Sequence, residues 1–154
     1  MDLRYKHVEA ALVDVAGVKP KAIGAFRGKL RHLRNLGLPA LPTSGSGKHI
    51  AYSRRQALEM LVAVKLQQLG HKADSAARLS PSIVRQVPYG KHQGDECYVA
   101  LRPPGDDPKG YHLMYGDAQV CEFLKSSPDV FTVVIVSALV RQLDLALDRS
   151  LKSA

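Results

Sequence analysis

Apolar residues fall at helical spacing from Leu3 to Val87, and beyond residue 95 they gather into short runs of strand type. Val8, Leu12 and Val15 stripe a first helix over residues 3–16, which Gly17 ends. Ile23, Phe26, Leu30 and Leu33 keep a 3-4-3 rhythm over residues 20–36, with Gly37 as the stop and Pro39 just beyond. Gly24 and Gly28 are weak helix formers, so this segment reads either as one helix or as a short turn followed by a firm helix from Arg27. Residues 39–49 are turn-rich, and the alternation at Ile50-Ala51-Tyr52 after Gly45 and Gly47 has the pattern of a small hairpin. Ser53-Arg-Arg-Gln56 is a capping box and opens a strongly apolar helix closed by Gly70. Asp74 is expected to cap a short helix through Leu79, with Pro81 starting a further turn or two up to Val87.

Residues 88–95, with Gly90 and Gly94, have the composition of a linker. Cys97 to Leu101 and Tyr111 to Tyr115 follow as two strands around a Pro-Gly-Asp turn. Asp117 is expected to cap a helix carrying Val120, Phe123 and Leu124. Phe131 to Val136 is a β-branched strand, and Ser137 is expected to cap a closing helix with Leu139, Leu143, Leu147 and Leu151 in a row. The expected class is α+β: a mainly helical head over residues 1–87, a linker over 88–95 and a small α+β unit over 96–154.

Charge sharpens this division. Between Asp14 and Glu59 there is no acidic residue, yet nine Lys or Arg occur there, out of a chain with net charge +8. Residues 1–94 hold 16 basic and 5 acidic residues, net +11, whereas residues 95–154 hold 6 and 9, net −3. A basic face on one part of a chain points to an anionic partner, nucleic acid first. The N-terminal residues lack the pattern of a secretory signal, and the longest apolar stretch, residues 130–140, is far short of a membrane span. Cys97 and Cys121 stand alone, which fits two reduced thiols in a cytoplasmic protein.

The motifs of catalysis and ligand binding are missing. Gly45-Ser-Gly-Lys48 lacks the leading Gly and the trailing Ser or Thr of a phosphate-binding loop. The six His residues show no metal-ligand spacing, and Asp106-Asp107 lacks the further carboxylates of a calcium loop. Neither Cys sits beside a convincing base. The expectation is therefore no enzyme, no cofactor and no metal.

What remains is a helix, an Arg-rich helix, a Gly-rich loop and a capped helix. Leu36-Gly37-Leu38-Pro39, then Gly47-Lys48-His49-Ile50-Ala51-Tyr52-Ser53, then Lys65-Leu66-Gln67-Gln68-Leu69-Gly70 stand in that order. This arrangement resembles the winged helix-turn-helix head of the MerR type, over roughly residues 10–80. Asp74 to Leu79 falls where that family has its fourth short helix. The tail beyond residue 80 has no counterpart in the resemblance, which therefore implies nothing about effector sensing.

The resemblance implies a recognition helix and a wing on double-stranded DNA, and the residues fit that chemistry independently. At 100° per residue Arg27, Arg31 and Arg34 lie within about 60° of one another, and Arg can bond guanine edges bidentately. Lys29 and His32 share that helix; Lys48 and His49 stand at the wing tip. Tyr52, Arg54 and Arg55 follow, and the two arginines occupy a first helical turn, where positive charge opposes the dipole unless a phosphate is near. These ten residues are the candidate DNA contacts. The expected function is a sequence-specific double-stranded DNA-binding protein, a transcriptional regulator, cytoplasmic and nucleoid-associated. A homodimer through the C-terminal unit is expected to pair two heads: the closing helix carries the leucine row and, elsewhere around it, Val140 and Leu145, so that one apolar face packs on the Phe131–Val136 strand and another meets the partner. The alternatives are a phage-type accessory protein, such as an excisionase or small terminase subunit, and an adaptor whose basic face meets RNA or an acidic protein.

Overall fold

The leucine row of the last helix is answered by the apolar stripe of the first. In the computed structural model, which describes residues 3–40, 51–87, 96–101, 111–127 and 131–152, helix α1 (Tyr5–Val15) lies along α6 (Val136–Lys152), and α6 also packs on α3 (Arg54–Gln68). Leu143 and Leu147 are fully buried and Leu139 nearly so, in one apolar cluster with Val8, Leu12, Leu58 and Leu61. The row thus finds its cover within the chain. The helix α4 (Ala73–Gln86) packs along α3, and α2 (Ile23–Asn35) leans on α1 and α4. The class is α+β: these helices join α5 (Gly116–Ser126) and two small antiparallel sheets.

Helix ends follow the chemistry of the sequence closely. Ser53 and Gln56 form the capping box, each side chain taking the other's backbone N–H at 3.2 and 2.9 Å. Gly37 and Gly70 adopt φ of +83° and +93°, a conformation that suits glycine. Beyond them Leu38 N–H donates to the Leu33 carbonyl and His71 N–H to that of Leu66, each at 3.0 Å, which closes both helices with a Schellman turn. Residues 20–22 make one turn of 3-10 helix, and α2 then runs unbroken through Gly24 and Gly28.

Strands β3 (Cys97–Leu101) and β4 (Tyr111–Tyr115) pair antiparallel, Val99 opposite Leu113, and β5 (Thr132–Ile135) joins the other edge of β3. The sheet order is β4-β3-β5. Val99, Leu101 and Val134 turn one face toward Leu66, Ile83 and Leu139. On the other face α5 covers the sheet only lightly and buries none of its own residues.

Several local expectations need correcting. Leu3 belongs to a two-residue strand, β1 (Leu3–Arg4), which pairs with β2 (Ala51–Tyr52) across the head. Of the hairpin and wing expected from Gly45 to Tyr52, residues 45–50 lie outside the described residues, and Ala51 and Tyr52 pair with β1. Helix α4 continues through Pro81, because Ala76, Leu79, Ile83 and Val84 keep one buried face that outweighs the hydrogen bond proline removes. Its N-cap is Lys72, with Asp74 in the first turn. Asp117 also sits inside its helix and accepts the Tyr98 hydroxyl proton. Ser137 lies within α6 and ties it to the sheet: its hydroxyl accepts from the Cys97 N–H at 3.2 Å and donates to Glu96.

Truncating a fully buried leucine leaves a cavity, so Leu143→Ala is expected to cost about 2–5 kcal/mol in urea denaturation. Leu145, 64% exposed on the same helix, should tolerate alanine within about 0.5 kcal/mol.

Candidate nucleic-acid interface

Helix α2 divides its surface sharply. Phe26, Leu30 and Leu33 are buried, and every basic side chain of the helix is exposed. Gly24, Gly28, Arg31, His32 and Asn35 lie opposite the buried stripe. No acidic residue occurs on this helix. A Cβ added to Gly24 or Gly28 would meet nothing within 4 Å, so internal packing does not require either glycine. Each leaves bare helix backbone at the surface, beside Arg31.

The arginines that the sequence grouped together have different partners. Arg27 Nε bonds Glu9 on α1 at 2.7 Å. The Arg34 guanidinium sits 5.0 Å from the centre of the Tyr5 ring, a cation–π contact. Burial raises the Tyr5 pKa, and the Arg34 charge partly opposes that rise. Helix α1 thus holds one edge of the Arg-rich face, at Arg27 and Arg34. Next to them Arg31 is exposed, as are Lys29 and His32, and none of these three side chains bonds another described residue. Lys19 and Lys21, just before the helix, are exposed too.

The candidates after the loop behave differently. Tyr52 is 1% exposed and packs its ring 5.9 Å from that of Tyr5, so it belongs to the core and offers no face for stacking on a base. Arg54 donates to Asp144 at 2.9 Å and to Asp148 at 3.0 Å, both on α6. Arg55 donates to the Val84 carbonyl at 3.2 Å and, with Arg85, offsets the burial that raises the Glu59 pKa. Positive charge at the start of α3 therefore has partners within the chain, and an external phosphate is not needed to explain it. Lys48 and His49 lie outside the described residues.

Glu9, Tyr5, Asp144 and Asp148 complete this region and were not anticipated. Each acts across a separation of 18 or more residues, which local spacing does not reveal. No group of three or more metal-ligating side chains occurs among the described residues. Burial and the neighbouring Glu96 push the Cys97 thiol up to about 11, which keeps it protonated and unreactive at neutral pH. Among the described residues no helix is long and apolar enough to cross a membrane.

No family model matches the chain, and no curated protein matches it.

Glycine in an exposed helix interior costs up to about 1 kcal/mol relative to alanine. Gly28→Ala should therefore raise stability by about that amount in thermal unfolding, and Gly24→Ala, in the first turn of α2, by less, since neither new methyl group meets a neighbour.

Proposed function

We propose that the protein binds double-stranded DNA through the outer face of α2, as a sequence-specific regulator of the winged helix-turn-helix class. The observation that carries this reading is the exposed outer face of α2: Arg31 and His32, whose side chains have no partners among the described residues, stand beside Gly24 and Gly28, with Lys29 exposed on the far edge of the helix. An α-helix fits the major groove, its arginines can bond guanine edges, and glycine allows a phosphate backbone to approach closely. Arg27 and Arg34, held by Glu9 and Tyr5, support the same face as fixed positive charge. The order of helices and the motif at Leu36-Gly37-Leu38-Pro39 support the resemblance to MerR-type heads.

The burial of Tyr52 favours duplex over single-stranded RNA, since it withdraws the aromatic best placed to stack on an unpaired base. A phage accessory protein would use the same duplex contact, and genome-wide occupancy of the tagged protein separates it from a transcriptional regulator. Two heads on a two-fold site remain part of this reading, with the dimer contact on a surface other than the leucine row that α6 buries.

The test is fluorescence anisotropy on duplexes selected from a random pool, repeated between about 50 and 200 mM salt. Arg31→Ala is expected to cost about 1–3 kcal/mol on the selected site and to relax its sequence preference. Lys29→Ala should weaken all duplexes alike and reduce the salt slope by roughly one. Equal, sequence-independent losses at both positions would leave only an electrostatic patch, and absence of duplex binding would remove the reading.

A further inference from the structure

Arg54 is the first residue of α3, directly after the Ser53 cap, where its charge opposes the helix dipole. Asp144 and Asp148, four residues apart on α6, would repel each other on one helix face. The guanidinium joins them: one terminal nitrogen donates to Asp144 and the other to Asp148, at 2.9 and 3.0 Å. This forked donation to two anionic oxygens is what a guanidinium also offers a phosphodiester. The side chains are 36%, 31% and 54% exposed, so solvent and other anions reach the cluster.

A short series of contacts links the cluster to the Arg34 edge of α2. The chain runs from Arg54 through Ser53 to Tyr52, whose ring packs on Tyr5, and Tyr5 carries the Arg34 guanidinium. Strand pairing of Leu3 with Tyr52 fixes this junction and brings Arg4, which is exposed, to the same end of the head. A duplex that follows this junction from the Arg34 edge of α2 would meet Arg54, where the two carboxylates now stand.

We infer that Asp144 and Asp148 occupy the place of a nucleic-acid phosphate on Arg54, so that α6 is an intramolecular competitor for duplex binding. This inference rests on the duplex-binding reading above. It assigns the acidic C-terminal part a role: lowering the affinity of the basic head until a duplex displaces the two carboxylates.

The experiment compares full-length chains on a random-sequence duplex across a salt series. Asp144→Asn/Asp148→Asn should bind about tenfold tighter near 0.1 M salt, with a salt slope greater by about one, as one further phosphate contact requires. Asp74→Asn/Glu122→Gln adds the same charge at exposed positions away from Arg54 and should leave the slope unchanged. Adding Arg54→Ala to the Asp144→Asn/Asp148→Asn pair should abolish the gain. Asp148→Asn alone, at the most exposed member of the cluster, keeps the test available if the double variant fails to fold, with an expected gain of about threefold. A gain no larger than that of the charge-matched control, with the wild type binding normally, overturns the inference and leaves the duplex reading standing. Absence of duplex binding by every chain overturns both.

Discussion

The seam in which α6 lies against α1 and α3 makes one core out of two halves of different composition. Leu143, Leu147 and Ala146 are buried there with Val8, Leu12 and Leu58. Each fully buried aliphatic side chain of this kind contributes roughly 1.5–3 kcal/mol relative to exposure. The C-terminal sheet depends on that contribution. Its three strands are short, α5 buries nothing, and the well-covered face of the sheet is the one turned toward α3, α4 and α6. Three short strands need an apolar face that something covers, and here α3, α4 and α6 supply that cover.

Charge follows the same geometry. The carboxylates of the C-terminal part meet the head away from the outer face of α2: Asp144 and Asp148 on Arg54, with Arg149 of α6 on Asp14 of α1 at 2.8 Å. Exposed pairs of this type stabilise by about 0–1 kcal/mol each, so they steer the docking of α6 more than they hold it. Their consequence is that the positive charge of the head is neutralised at the start of α3 and left standing on α2. On that helix Lys29, Arg31 and His32 remain for a partner.

Local chemistry was legible wherever one short segment decides the outcome. Strands β3 and β4 lie over the residues read from their apolar runs, the capping box forms at Ser53 and Gln56, and Gly37 and Gly70 end their helices. Long-range pairing was not legible. Leu3 continues the periodicity of the helix that follows it, yet the partner across from it, Tyr52, draws it into a strand. Pro81 reads as a helix start, and only the packing of α4 on α3 keeps it inside. For the candidate site, the Arg-rich face of α2 could be read from spacing alone. The burial of Tyr52 and the capture of Arg54 by residues 90 and 94 positions away could not.

Native-state hydrogen exchange tests the single core most directly, because it reads the opening free energy of each amide separately. Amides of Leu61 in α3 and Val99 in β3 should exchange through the same cooperative opening, with equal free energies that fall together as denaturant is added. Exchange at Val99 through a separate opening of clearly lower free energy, with Leu61 unaffected, would show that the sheet and the head are not joined by the α6 seam.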